Sequence, residues 1–185
     1  WVRQALDASW EELYASAAHP GQARDPLFVP HLSGERTPYS DPALRGSWTA
    51  LSLAADRTSL LRSALEGTAF AIRDALDALL AGDRPAQLRL AGGGTLAAGW
   101  RQLLADVLGV PLYAVDVPAA SGRGAALLGA RAAGLLSDAD IQGALAPPAR
   151  LAAEPDPAAA AFHAERQARF RRTVAALAGS GKEPA

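Results

Sequence analysis

The 185-residue chain has no cysteine and no methionine, and Lys182 is its only lysine. Without cysteine there is no disulfide, zinc finger, iron–sulfur cluster or thiol nucleophile. A Walker A loop needs Gly-Lys followed by Ser or Thr, whereas Gly181–Lys182 is followed by Glu183. A protein-kinase core needs a lysine on a strand, and none is present. No apolar run reaches the roughly eighteen residues of a membrane span, and no charged-then-apolar leader precedes a small-residue cleavage site. These absences lead to the expectation of a cytoplasmic protein with no membrane partner. Excess charge of one sign is missing too: 18 basic against 19 acidic side chains give a net charge of −1. That argues against a nucleic-acid partner. His19, His31 and His163 are scattered without ligand spacing, so no metal site is expected on these side chains.

What is present is the balance of a folded globular unit, with 50% hydrophobic and 20% charged residues. An amphipathic pattern is already running at Trp1, which reads as a piece of something longer. Val2, Leu6, Trp10, Leu13 and Tyr14 recur at helical spacing up to Ala17. Leu27-Phe28-Val29 and Trp48 to Leu53 read as strands around a turn-rich loop. Thr58 is placed to cap a long helix with the stripe Leu61, Leu65, Thr68, Ile72, Leu76 and Leu79. Leu88 to Ala91 is a strand, and a helix to Leu108 follows with Trp100, Leu103, Leu104 and Val107 inward. Gly109 and Pro111 stop that helix. Leu112 to Val115 is another strand, and Ser121 to Ala133 is a helix rich in small residues. Its Gly122, Gly124 and Gly129 suit close packing on a sheet. The division expected is a domain over 1–146, a proline-rich linker over 147–157, a docking helix over 158–178 and a tail over 179–185. Strands alternating with helices imply an α/β layer structure.

The chemistry-bearing stretch is LRLAGGGTLAAGW. A strand entering three glycines and then a helix exposes backbone amides that a phosphate, ribose or flat base can approach closely. A tight turn that binds nothing is the bland alternative, and three consecutive glycines favour a ligand over it. Gly92-x-Gly94-x-x-Ala97, with Asp116 after the next strand, also fits the dinucleotide fingerprint of a Rossmann-type oxidoreductase. A third reading is a non-catalytic assembly piece that buries an exposed sheet edge on a partner, a homo-oligomer being one such assembly.

The loop FVPHLSGERTPYSDPALRG turns the choice. With Leu65-Glu66-Gly67, AGGGTLAAGWRQLLADVLGVPL, SGRGAALLGA and FHAERQARFRRTVAAL in the same order, it resembles the C-terminal half of the FGGY carbohydrate kinases, most closely the xylulokinase type. The resemblance implies an actin-like, hexokinase-like ATPase fold of ribonuclease-H-like domains, here lacking its N-terminal side. It further implies transfer of the ATP γ-phosphoryl group to a sugar hydroxyl with Mg²⁺, the ion and the base being held mainly by the other half. Gly92, Gly93 and Gly94 would fall beside adenine and ribose, and Ala97 would occupy an adenine-contact position. Ala50 stands where the family usually has glycine, and Ser59 where it usually has an acid, amide or histidine.

Other polar residues have plainer readings. Glu66 is expected to pair with Arg62 on a solvated helix face, Glu35 and Arg36 to pin their own loop, and Asp41 to serve a turn. Arg166, Arg169, Arg171 and Arg172 read as the basic face of the last helix, opposite Phe162, Phe170, Val174 and Leu177.

Overall fold

The computed structural model describes residues 1–81, 83–115, 117–143 and 147–180. Two short helices, α1 (Val2–Ala5) and α2 (Trp10–Ala15), replace the single opening helix expected. Asp7 turns left-handed at φ 48°. Ser9 then restarts the chain as a helix: its hydroxyl accepts from the Glu12 amide, and the Glu12 carboxylate accepts from the Ser9 amide. The restart turns Trp10 outward, to 61% exposure.

β1 (Leu27–Val29) pairs antiparallel with β2 (Ser47–Thr49), Phe28 opposite Trp48. β2 is shorter than expected because Ala50 adopts φ 57° and ends the extended run. The intervening loop is anchored from within, as expected. Glu35 accepts from the Arg36 and Thr37 amides and lies 2.5 Å from Nδ1 of buried His31. Asp41 accepts from the amides of Ala43 and Leu44.

α3 (Arg57–Leu80) is capped by Asp56 and not by Thr58. Asp56 accepts from the Ser59 amide while the Ser59 hydroxyl accepts from the Asp56 amide. Its buried face differs from the expected stripe: Leu61, Ala64, Leu65, Ala69, Phe70 and Asp74 are buried, whereas Ile72 and Leu79 are exposed. The first half of α3 is enclosed because β1 lies directly on it. A Cβ at Gly67 would sit 2.0 Å from the Phe28 carbonyl oxygen, so only glycine allows that approach.

The second sheet has the order β3 (Leu88–Leu90), β4 (Leu112–Val115), β5 (Ala149–Ala153). β3 runs parallel to β4 through α4 (Ala98–Leu108), and β5 is antiparallel to β4. β5 falls inside the stretch expected as a linker; it pairs the edge that β4 would otherwise leave open. Trp100, Leu103, Leu104 and Val107 of α4 are buried, and Gly109 ends the helix at φ 69°. Arg73 and Arg84 donate to the Val107 and Leu108 carbonyls, two of the acceptors that a helix end leaves free. α5 (Ala120–Ala132) and the short α6 (Asp138–Gln142) follow. α5 buries none of its residues, and a Cβ at Gly124 or Gly129 would meet nothing within 4 Å, so these glycines do not serve the sheet packing expected of them.

The last helix, α7 (Pro157–Ser180), docks against α3, α4 and β1 with Phe170 and Val174 fully buried. Its charge contacts depart from expectation. Glu66 does pair with Arg62, Nη1 to Oε1 at 3.3 Å, but at 1% exposure rather than on a solvated face. Arg166 supplies the second cation, with Nε at 2.8 Å and Nη2 at 2.5 Å from Oε2, and is itself 3% exposed instead of lying on the basic face. His163 Nδ1 stands 3.5 Å from Oε1. Arg166 also donates to the Gln22, Asp25 and Pro26 carbonyls, tying the segment before β1 to α7. Asp74, likewise buried, accepts from Tyr39 Oη, Gln167 Nε2 and Arg171 Nε.

Burial by itself would push the Glu66 carboxyl up. The nearby His163 ring, the hydrogen bonds from Arg166 and the charges of Arg166 and Arg62 outweigh it and hold the group at about 2. Glu66→Ala leaves two buried guanidinium groups uncompensated, so it is expected to cost about 3–5 kcal/mol in a urea melt at neutral pH. The folded value lies below the ordinary 4.5, so this contribution is complete above that pH and is lost as pH falls towards about 2. Melts at stepped pH should show the gap between wild type and Glu66→Ala closing across that window. Ala50→Gly removes a left-handed β-carbon and is expected to raise stability by about 0.5–1 kcal/mol in the same assay.

Candidate functional site

A cavity of about 800 Å³ opens at the carboxyl ends of β3 and β4, where parallel sheets characteristically receive ligands. One wall is the chain after β3, from Leu90 to Gly93 with Thr95 and Leu96. The other is the chain after β4, from Val117 to Gly122. Arg101 of α4 and Arg150 of β5 complete the lining.

The glycine loop is built locally. Gly92 takes φ 96°, which favours glycine, and a 3-10 turn, Gly93–Thr95, follows. The Thr95 amide and hydroxyl both donate to the Gly92 carbonyl, and Arg101 Nε donates to the Thr95 carbonyl. α4 begins only at Ala98, so the glycines lie in a turn of their own, ahead of the helix end that the pattern puts beside them. A Cβ on Gly92, Gly93 or Gly94 would meet nothing within 4 Å. Packing therefore does not account for three glycines in a row, and the backbone they carry is exposed. Across the cavity, α5 starts after Ala119 with no side-chain cap, and Ala120, Ser121 and Gly122 of its first turn line the opening.

Of the residues expected to meet a ligand, Gly92 and Gly93 line the cavity. Gly94 is exposed next to them, outside the lining, and Ala97 flanks the start of α4 and packs against the hydrophobic core. Asp116, the acid of the Rossmann reading, lies outside the described residues. Arg101, Arg150 and the first turn of α5 were not anticipated. Ala119 carries none of the usual capping side chains, and Arg150 sits in a stretch whose prolines suggest a linker. The described lining includes no Asp or Glu, and the described residues hold no group of three His, Cys, Asp or Glu that could bind a metal ion. These side chains therefore do not fit Mg²⁺.

Residues 1–133 match the C-terminal domain of the FGGY family of carbohydrate kinases. The chain is 35% identical to the xylulose kinase of Klebsiella pneumoniae over 175 residues, which is 92% of this chain and 35% of that protein. It is 41% identical to the glycerol kinase of Rhodospirillum centenum over 145 residues, 75% of this chain and 28% of that one. The ligand-bound xylulose kinase from Lactobacillus acidophilus superimposes with a TM-score of 0.84 at 28% identity, over 97% of this chain and 37% of the other. The architecture is thus the C-terminal part of an actin/hexokinase-like ATPase fold. The chain belongs to the FGGY family of carbohydrate kinases, and the oxidoreductase reading of Gly92, Gly94 and Ala97 gives way to it. It spans about a third of the length of the relatives it matches.

Because no neighbour lies within reach of a Cβ at Gly93, Gly93→Leu is expected to leave the melting midpoint unchanged to within about 0.5 kcal/mol of stability. A thermal melt of the variant checks this.

Proposed function

We propose that this chain is the nucleotide-binding part of an ATP-dependent sugar kinase whose acceptor is a ketopentose such as xylulose. The observation that carries the proposal is the open cavity at the ends of β3 and β4, walled by a glycine loop that the fold does not need for packing. On this reading Gly92, Gly93 and Gly94 lie along adenine and ribose, with Ala97 behind them at the start of α4. Uncapped amides at the start of α5 suit a group with negative charge. ATP supplies the phosphoryl group, and Mg²⁺ travels with its phosphates, held by ligands outside the described residues. The described lining offers no carboxylate base, so the chain alone is expected to bind ADP or ATP without turning over sugar. Xylulose is favoured because Gly34-Glu35-Arg36-Thr37-Pro38 resembles the xylulokinase loop and because the relative that aligns over 92% of the chain is named a xylulose kinase. A kinase drawing on ATP in this way works in the cytoplasm.

The test has two arms. Calorimetric titration of the chain should show ADP binding that Gly93→Leu abolishes, with no preference for NAD. The full-length kinase should consume ATP in the presence of xylulose and not of glycerol. A preference for NAD, or no ATP consumption with any ketopentose, would overturn the proposal.

A further inference from the structure

Only some of the arginines of this chain pair with a carboxylate among the described residues. Arg62, Arg73, Arg84, Arg131, Arg166 and Arg171 each lie against a carboxylate. Arg101 and Arg150 do not, and both line the same cavity, which has no acid among its described lining residues. Arg150 stands on β5 directly across from Ala114 of β4, so the two residues share the sheet face that borders the opening. Its guanidinium has neither a hydrogen bond nor an ion pair among the described residues. Arg101 spends Nε on the Thr95 carbonyl, and its two Nη nitrogens have no protein acceptor there. Two cations border one open cavity with donors that no described protein acceptor takes, so they are free to meet an anionic ligand there. A planar guanidinium fork fits the paired oxygens of a phosphate.

We infer that Arg150 and Arg101 make this cavity selective for a nucleoside polyphosphate over the uncharged nucleoside, Arg150 by contact with a phosphate and Arg101 as a positioning residue. The inference rests on the nucleotide reading above and adds which side chains read the ligand's charge. Arg101 acts through the loop: a Cβ on any of the three glycines would meet nothing within 4 Å, and the bond from Arg101 to Thr95 reaches their turn from outside it. Loss of Arg150 removes charge recognition and leaves the loop as it is. Loss of Arg101 loosens the loop and weakens nucleoside and nucleotide together.

The experiment titrates the wild-type chain, Arg150→Ala and Arg101→Ala with adenosine, ADP and inorganic pyrophosphate at low and high salt, with a melt of each protein. Wild type should bind ADP more tightly than adenosine, by a margin that shrinks with salt. Arg150→Ala should lose about tenfold to a hundredfold in affinity for ADP and pyrophosphate, with adenosine affinity and melting midpoint unchanged. Arg101→Ala should weaken adenosine and ADP alike at an unchanged melting midpoint. If adenosine and ADP bind equally and Arg150→Ala changes neither, this inference is overturned while the nucleotide reading stands. If pyrophosphate binds through Arg150 but neither adenosine nor ADP binds better than it, the nucleotide reading fails and a bare anion site remains. An Arg150→Ala variant that loses adenosine as strongly as ADP shows Arg150 to be structural, and a chain that binds none of the three overturns both.

Discussion

One carboxylate with no access to water, that of Glu66, sets the arrangement of most of this chain. A buried charge without partners would cost several kcal/mol, so Glu66 fixes wherever its cations must stand. Arg62 approaches from one turn earlier on the same helix, and Arg166 comes from a hundred residues later. Because Arg166 also donates to four carbonyls ahead of β1, those of Gln22, Ala23, Asp25 and Pro26, the single contact joins α3, α7 and the entry to the first sheet. α4 is packed against both helices, and Arg73 of α3 caps its far end. α4 in turn carries Arg101, the side chain that holds the glycine loop. A line of direct contacts therefore leads from the buried charge to the rim of the cavity.

The two ends of that line are built differently. Around Glu66 and Asp74 the carboxylates are buried and met by arginine, glutamine and tyrosine donors from distant parts of the chain. Around the cavity the loops touch little, the strand β3 is a half-buried edge, and α5 buries nothing. Rigid support on one side and unsatisfied donors on the other is the usual division between scaffold and ligand site.

Much of this was legible in the residues, and the failures share a cause. The strand–glycine–helix order, the inward residues of α4 and its stop at Gly109 follow from local rules, so periodicity and cap chemistry sufficed. Leu65-Glu66-Gly67 could be singled out by resemblance, but its reason could not. Gly67 is glycine because of the Phe28 carbonyl, and Glu66 is buried because of Arg166, and neither neighbour is near in sequence. Helical spacing put Arg62 and Glu66 on one face without saying that α7 covers it. The break at Asp7 was missed because the apolar spacing runs on through Trp10, while the Ser9–Glu12 cap competes locally and wins. Arg150 was missed because prolines on both sides of 149–153 conceal a strand that only β4 can recruit.

Substituting arginine for nearly every lysine has a chemical consequence for that scaffold. Arg62, Arg166 and Arg171, which meet the buried carboxylates, are planar forks, and each reaches two acceptors at once: Arg62 the His19 carbonyl and Glu66, Arg166 the Pro26 carbonyl and Glu66, Arg171 both Asp74 and Asp77. The scaffold thus crosslinks its helices through bifurcated grips of fixed shape, which compact ammonium heads in the same places would not reproduce.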